Sequence, residues 1–276
     1  MNINKITCNI CPHRCSIADG RTGICGTRRN NNGKIISESY GKITSLALDP
    51  IEKKPLYHFH PGSKILSLGS YGCNFKCGFC QNHRISMDLT PEYKIFTPEE
   101  IAAKSAELVS HGNIGVAYTY NEPLINYEFV YDCAKLIAGQ NQKNVLVTNG
   151  YICREPLENI LPFIHAMNID VKSFNPEFYK EIGGSLNDVL ATVETAAQKC
   201  HVEITTLIIP GKNDSPGEIR ELSKYIGGIS KDIPLHISRF FPMYKFTHLP
   251  PTPVETIKYL VNEARQNLNY VYSGNC

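Results

Sequence analysis

Beyond residue 63 the chain alternates two hydrophobic patterns. Short runs rich in apolar, often branched residues fall at 64–69, 114–120, 144–148, 168–172, 202–209, 235–238 and 270–272. Runs of that kind predict strands buried on both faces. Between them lie segments of helical length, at 124–138, 189–199, 217–226 and 254–266. A further helix starts at Thr97-Pro98-Glu99-Glu100, which supplies an N-cap threonine, a proline at the first helical position and a glutamate at the third. The run 160–165 is too short to assign. Strands alternating with helices imply parallel pairing through right-handed crossovers. The number of units fits a partial (β/α)6 TIM-like barrel of the α/β class better than an open Rossmann sheet. No G-x-G-x-x-G or P-loop pattern follows any strand, which sets aside dinucleotide and nucleotide-triphosphate folds.

The first 62 residues read differently. Residues 1–30 are rich in cysteine, glycine and arginine and follow neither period, whereas 34–48 alternates well enough for one or two short strands broken at Gly41. Residues 50–62 carry three prolines and read as an extended connector. The chain therefore divides into a Cys-rich extension with its connector (1–62) and a barrel (63–276).

Composition narrows the choice of function. Lys plus Arg is 28 and Asp plus Glu is 26, so the chain is close to neutral and has no electrostatic case for nucleic acid or a membrane surface as partner. No apolar run approaches the roughly 18 residues of a membrane span. The start Met1-Asn2-Ile3-Asn4-Lys5 lacks the apolar core of a signal peptide. The expected location is the cytoplasm. Eleven cysteines are then unusual, because clustered thiols in that compartment bind metal or do redox chemistry more often than they form disulfides. Cys133, Cys153, Cys200 and Cys276 stand alone, and the first three read as small buried hydrophobes.

The central motif is Cys73-Asn74-Phe75-Lys76-Cys77-Gly78-Phe79-Cys80, a C-x3-C-x2-C loop directly after the first barrel strand. Three thiolates on a short loop can hold three irons of a cubane cluster and leave the fourth iron open to a ligand. Phe75 and Phe79 would shield such a cluster from water and tune its potential. A zinc site completed by His83 is the rival reading, but zinc sites favour C-x2-C pairs and four protein ligands.

This loop, with an aromatic before its third cysteine, resembles the radical S-adenosylmethionine (SAM) superfamily. The resemblance implies a 4Fe–4S cluster on Cys73, Cys77 and Cys80, with SAM chelating the open iron. It further implies reductive cleavage of SAM to a 5′-deoxyadenosyl radical and hydrogen-atom abstraction from a substrate. Other segments then take expected roles. Tyr120-Asn121-Glu122-Pro123 stands where the family often has Gly-Gly-Glu near the SAM amino group, with Asn121 and Glu122 as the candidate contacts. Thr148-Asn149-Gly150 is similar to a turn of glycyl-radical activating enzymes. Asp170-Val171-Lys172 looks like their Asp-x-Lys motif, and alternation puts Asp170 and Lys172 on one strand face, where Lys172 would meet the SAM carboxylate. The apolar residues of 202–211 resemble the strand packed along the adenosine, without a single assignable contact. His236 corresponds to a histidine near the SAM ribose, and Arg239 is a further carboxylate-holding candidate.

Cys8, Cys11, Cys15 and Cys25 offer four soft ligands for either a second Fe–S cluster or structural zinc, with His13 as a substitute ligand. Taken with residues 49–59, Phe79-Cys80-Gln81-Asn82, Tyr120-Asn121-Glu122-Pro123 and 236–242, they resemble the AmmeMemoRadiSam-system radical SAM enzymes, relatives of pyruvate formate-lyase activating enzyme. Members of that subgroup commonly continue past the last strand into a Cys-bearing tail, whereas this sequence stops at Asn275-Cys276. Expected partners are an electron donor such as flavodoxin or ferredoxin and a small-molecule or protein substrate. One version of the latter is a glycyl-radical enzyme; an Fe–S electron carrier is the remaining alternative.

Overall fold

The computed structural model describes residues 5–276, so the polar start at Met1 to Asn4 lies outside it. Residues 5–31, which follow no strand period, are recruited into short strands by pairing, while 34–37 forms one of the strands expected from alternation. Thus β1 (Lys5–Thr7) runs antiparallel to β2 (Ser16–Ala18), and β3 (Arg28–Asn31) to β4 (Lys34–Ser37). A two-residue β5 (Lys42–Ile43) pairs with β8 (Lys94–Ile95).

The barrel strands are β6 (Ser45–Pro50), β7 (Lys64–Gly69), β9 (Asn113–Tyr118), β10 (Lys143–Thr148), β11 (Ala166–Asp170), β12 (His201–Ile208), β13 (Leu235–Arg239) and β14 (Val271–Gly274). They form one sheet in the order β14-β13-β12-β11-β10-β9-β7-β6. All neighbours are parallel except β6, which lies antiparallel on β7. Among the described residues no strand pairing joins β14 back to β6, so the barrel is partial. Strand β6 comes from the segment expected to belong to the extension, and it supplies the sheet's antiparallel edge.

The helices are α1 (His83–Ser86), α2 (Pro98–Glu107), α3 (Tyr127–Gly139), α4 (Arg154–Ile160), α5 (Pro176–Glu181), α6 (Leu186–Ala197), α7 (Pro216–Ile229) and α8 (Val254–Ala264). Thr97 caps α2 with a full capping box: its side chain accepts from Glu100 N while the Glu100 carboxylate accepts from Thr97 N. None of the described helices is long and apolar enough to cross a membrane.

Alternation along the strands divides the apolar residues into two sets. Leu66, Leu68, Val116, Tyr118, Leu146, Ile169, Ile204 and Ile237 pack outward against the helices. Ile65, Ala117, Val145 and Ala166 face inward and meet Ile51 and Leu56, both fully buried. The segment expected to be an extended connector is therefore a plug inside the barrel. Asn168 Nδ2 donates to Pro55 O at 2.8 Å, and the Glu203 carboxylate accepts from Tyr57 N (3.0 Å) and His58 N (2.7 Å). Three prolines stiffen the segment, but the inward apolar residues decide where it goes.

Candidate active site

The C-terminal ends of the parallel strands open onto a cavity of about 530 Å³. That is the end at which barrel enzymes build their sites. Each strand delivers side chains there: Cys73, Cys77 and Cys80 after β7, Glu122 after β9, Thr148 and Asn149 at the end of β10, and Asp170 and Lys172 at the end of β11. Thr205 and Leu207 of β12 and His236 and Ser238 of β13 also line it.

The cysteine loop is held tightly. Gly72 sits at φ +83° with the Cys25 carbonyl 2.7 Å from where a Cβ would lie, so a side chain there would meet both backbone strain and a clash. Phe75 and Phe79 are buried and line the cavity beside the thiols. Phe75 N donates to Cys73 Sγ at 3.4 Å. Burial pushes the Cys77 thiol up to about 12 and holds Cys73 well above the usual thiol range, with Glu122 adding to the latter. These sulfurs become thiolates only when a cation is there to receive them. Three soft donors, apolar shielding and no fourth cysteine in the lining match the needs of a cubane with one open iron. His83 is not among the lining residues. Its Nδ1 lies 3.3 Å from Cys80 O, and its ring stacks on Tyr244. Among the described residues no three His, Cys, Asp or Glu side chains stand close enough to hold a single metal ion.

Behind the loop lies a bracing network. Glu122, buried, accepts from Leu124 N (3.0 Å), Thr148 Oγ1 (2.8 Å) and Asn149 N (2.8 Å). Burial pushes its carboxyl up to about 7 against the pull of these donors. Asn121 accepts from Ser70 N at 3.0 Å and donates to Gly72 O at 3.0 Å, so its side chain ties the loop's entry in place. Asn149 Nδ2 donates to Asn74 Oδ1 at 2.8 Å and lies 3.8 Å from Cys73 Sγ. Tyr120 occupies φ +72°, a left-handed conformation that glycine adopts without cost and a tyrosine rarely takes. Its hydroxyl donates to Asp49 Oδ2 at 2.8 Å, and Lys54 Nζ lies 4.8 Å from its ring centre.

Asp170 and Lys172 do meet, at 2.7 Å. Burial pulls the Lys172 ammonium down, but Asp170 and the neighbouring thiols more than offset this and hold it above the ordinary lysine value. His236 has a partner that the sequence did not announce: its Nε2 lies 2.6 Å from Glu203 Oε2, and His201 Nε2 lies 2.9 Å from Oε1. Burial raises the Glu203 carboxyl, yet the two histidines and the Tyr57 and His58 amides overcome this and lower it to about 2. A carboxylate at that value only accepts, so both histidines donate to it from Nε2, and the His236 ring is held with its other edge free to turn toward the cavity. Arg239 is absent from the lining; its Nε donates to Thr252 O at 2.6 Å and its guanidinium covers the Phe241 ring.

The N-terminal cysteines gather elsewhere. Cys8, Cys11, Cys15 and Cys25 line a separate cavity of about 10 Å³ together with His13 and Arg28. His13 Nε2 lies 2.8 Å from Asn74 O, which places that pocket directly behind the cysteine loop.

A partial parallel barrel with three cysteines after its first parallel strand and an acid at the mouth of the next defines a recognisable class. Residues 68–224 match the Radical SAM superfamily profile, and the chain belongs to that family. The family's cofactors are a 4Fe–4S cluster and SAM. Among individual relatives, an uncharacterized protein of Methanocaldococcus jannaschii is 44% identical over 99% of this chain and 82% of its own length. Pyruvate formate-lyase-activating enzyme of Clostridium pasteurianum is 29% identical over 57% of this chain and 67% of its own. A radical SAM methyltransferase of Sphaerobacter thermophilus shares the fold, with TM-score 0.60 at 17% identity over 78% of this chain and 67% of that one.

Proposed function

We propose that the chain holds a 4Fe–4S cluster on Cys73, Cys77 and Cys80 and uses it with SAM to abstract a hydrogen atom from a substrate. The observation that carries this is the convergence of the three thiols, Glu122, Lys172 and His236 on one cavity of about 530 Å³. When bound, the cluster and SAM supply one-electron reductive cleavage of the sulfonium and a hydrogen-abstracting species. The chain's own residues bind and orient. A carboxylate offers about four acceptor positions, and Glu122 has three filled by protein donors, so one remains for the SAM ammonium. Lys172 spends one of its three donors on Asp170 and keeps the others for the SAM carboxylate. His236 faces the ribose hydroxyls, its ring oriented by the Nε2 contact to Glu203. Phe75 and Phe79 exclude water from the sulfurs.

A partner protein is the favoured substrate class. The unclosed edge between β14 and β6 and the glycyl-radical activating enzymes among the relatives both support it. The AmmeMemoRadiSam subgroup is the proposed context and a flavodoxin- or ferredoxin-type protein the proposed reductant. The test is anaerobic incubation of the reduced, SAM-loaded enzyme with the glycyl-radical proteins of its host. Glycyl-radical resonance on one of them supports activation of a partner. SAM turnover that none of them accelerates points to a small-molecule substrate.

A further inference from the structure

Four thiols share the small N-terminal cavity, yet the active site uses none of them. Cys8 N donates to Cys15 O at 3.0 Å and Arg14 N to Cys11 O at 3.0 Å, folding the C-x2-C-x3-C stretch into a tight turn whose three cysteines line one cavity. The hairpin of β3 and its preceding loop brings up Cys25 and, from the far side, Arg28. Cys8 and Cys25 are buried, and none of the four forms a disulfide.

Arg28 is the second observation. Its side chain is 6% exposed and lines the same cavity beside Cys8. Two of its nitrogens bind the Glu128 carboxylate, one of them at 2.8 Å. Its Nε is a buried nitrogen with no well-aligned hydrogen-bond partner among the described residues, while the Cys8 sulfur stands close to the guanidinium. A buried guanidinium N–H left unpaired is unfavourable unless an acceptor arrives. Thiolate sulfur or inorganic sulfide at the cavity centre would be that acceptor, and its negative charge would be matched by the guanidinium.

We propose that Cys8, Cys11, Cys15 and Cys25 form a second metal centre, a four-thiolate site for iron–sulfur or zinc, that braces the active-site cysteine loop from behind. The bracing runs through named contacts. His13 reaches Asn74 O, and Asn74 in turn donates to Tyr151 O at 2.9 Å and accepts from Asn149. The Cys25 carbonyl packs on Gly72, and Cys153 N donates to Ile10 O at 2.9 Å. Metal on the four sulfurs locks His13 and Cys25, and through them both ends of the stretch that carries Cys73. Filling the centre requires the thiols to turn inward, since in this structure no three of them stand close enough for one ion.

The test uses the full chain with Cys73, Cys77 and Cys80 all changed to alanine, so that metal at the proposed active site cannot contribute. It is loaded anaerobically with iron and sulfide, or with zinc alone, and metal per chain is measured after desalting. About four irons per chain with Fe–S absorbance identifies a cluster; about one zinc without iron uptake identifies a structural ion. Either supports the centre. Neither metal above about 0.1 per chain overturns it, as does undiminished loading when Cys8→Ser and Cys25→Ser are added. Far-UV circular dichroism on each variant separates lost sites from lost folding. The bracing is read in the otherwise native chain with Arg28→Met, through the reduced-cluster resonance that shifts on adding SAM, which only a cluster with an open iron gives. That signal should fall at least twofold while helix content stays; an unchanged signal contradicts the coupling.

Discussion

Changing Glu203 to glutamine should lower stability by about 3 kcal/mol at pH 7. The carboxylate has no exposed surface and accepts from two backbone amides and two imidazoles. Its value falls from 4.5 to about 2 on folding, and each pH unit corresponds to about 1.4 kcal/mol. Because the folded value is the lower one, this stability is present in full above 4.5 and fades as pH drops through about 2. Glutamine keeps the shape but presents two N–H donors toward groups that are themselves donors. In a chain of 276 residues the loss amounts to roughly 6–12 °C in Tm. Thermal unfolding of anaerobically purified parent and variant, followed by circular dichroism from pH 7 down to pH 3, gives the comparison. The gap should hold from pH 7 to 5 and narrow below. A gap under about 1 kcal/mol at pH 7, or one that widens in acid, refutes the clamp. The same variant frees Tyr57 and His236, so its KM for SAM should rise more than its kcat falls.

Three further outcomes follow from contacts around the cavity. Asn149→Ala keeps the backbone N–H on Glu122 but removes the side-chain link to Asn74 and Cys73, so SAM cleavage should slow about 10–100-fold; 5′-deoxyadenosine formation normalised to bound iron reads this. Lys54→Met leaves Asp49, held down at about 2 by Lys54 and Tyr120 despite burial, with only the exposed Lys53 nearby. Because burial pulls the Lys54 ammonium down and its removal returns that cost, the loss should be about 1–2 kcal/mol at pH 7 by urea unfolding. That cost should shrink as pH falls from 3.8 toward 2. At Tyr120, both Tyr120→Gly and Tyr120→Ala lose the hydroxyl bond to Asp49, but only alanine retains the left-handed strain. The glycine variant should therefore be more stable by about 1 kcal/mol in urea unfolding, and equal stability contradicts the strain argument.

Much of the barrel was legible because branched apolar runs and the Thr97 capping box act locally. Predicted and observed strands coincide to within about two residues at 114–120, 144–148, 168–172 and 202–209. Elements fixed by tertiary contacts were not legible. Helix α4 contains Pro156, and α5 is only six residues long, so neither shows a helical period. The plug escaped notice because three prolines read as a spacer while Ile51 and Leu56 carry its burial. Asp170 and Lys172 were brought together by alternation, which needs no knowledge of the rest of the chain. Glu203 needed such knowledge, since its partner His236 lies 33 residues on. A signal was nonetheless present: a charge inside a β-branched, inward-facing strand has to be paired. Arg239 ends its strand outside the cavity lining, with its Nε on Thr252 O and its guanidinium over Phe241, a placement no local pattern announces.

The most direct test of the central claim is 5′-deoxyadenosine formation by the iron- and sulfide-loaded protein with SAM and dithionite in the absence of oxygen. The account predicts that the parent makes it, and that Cys77→Ala, folded by circular dichroism, makes none. Undiminished formation in Cys77→Ala, or none from a parent carrying an intact cluster, would contradict the assignment of Cys73, Cys77 and Cys80 as the ligands of a SAM-cleaving cluster.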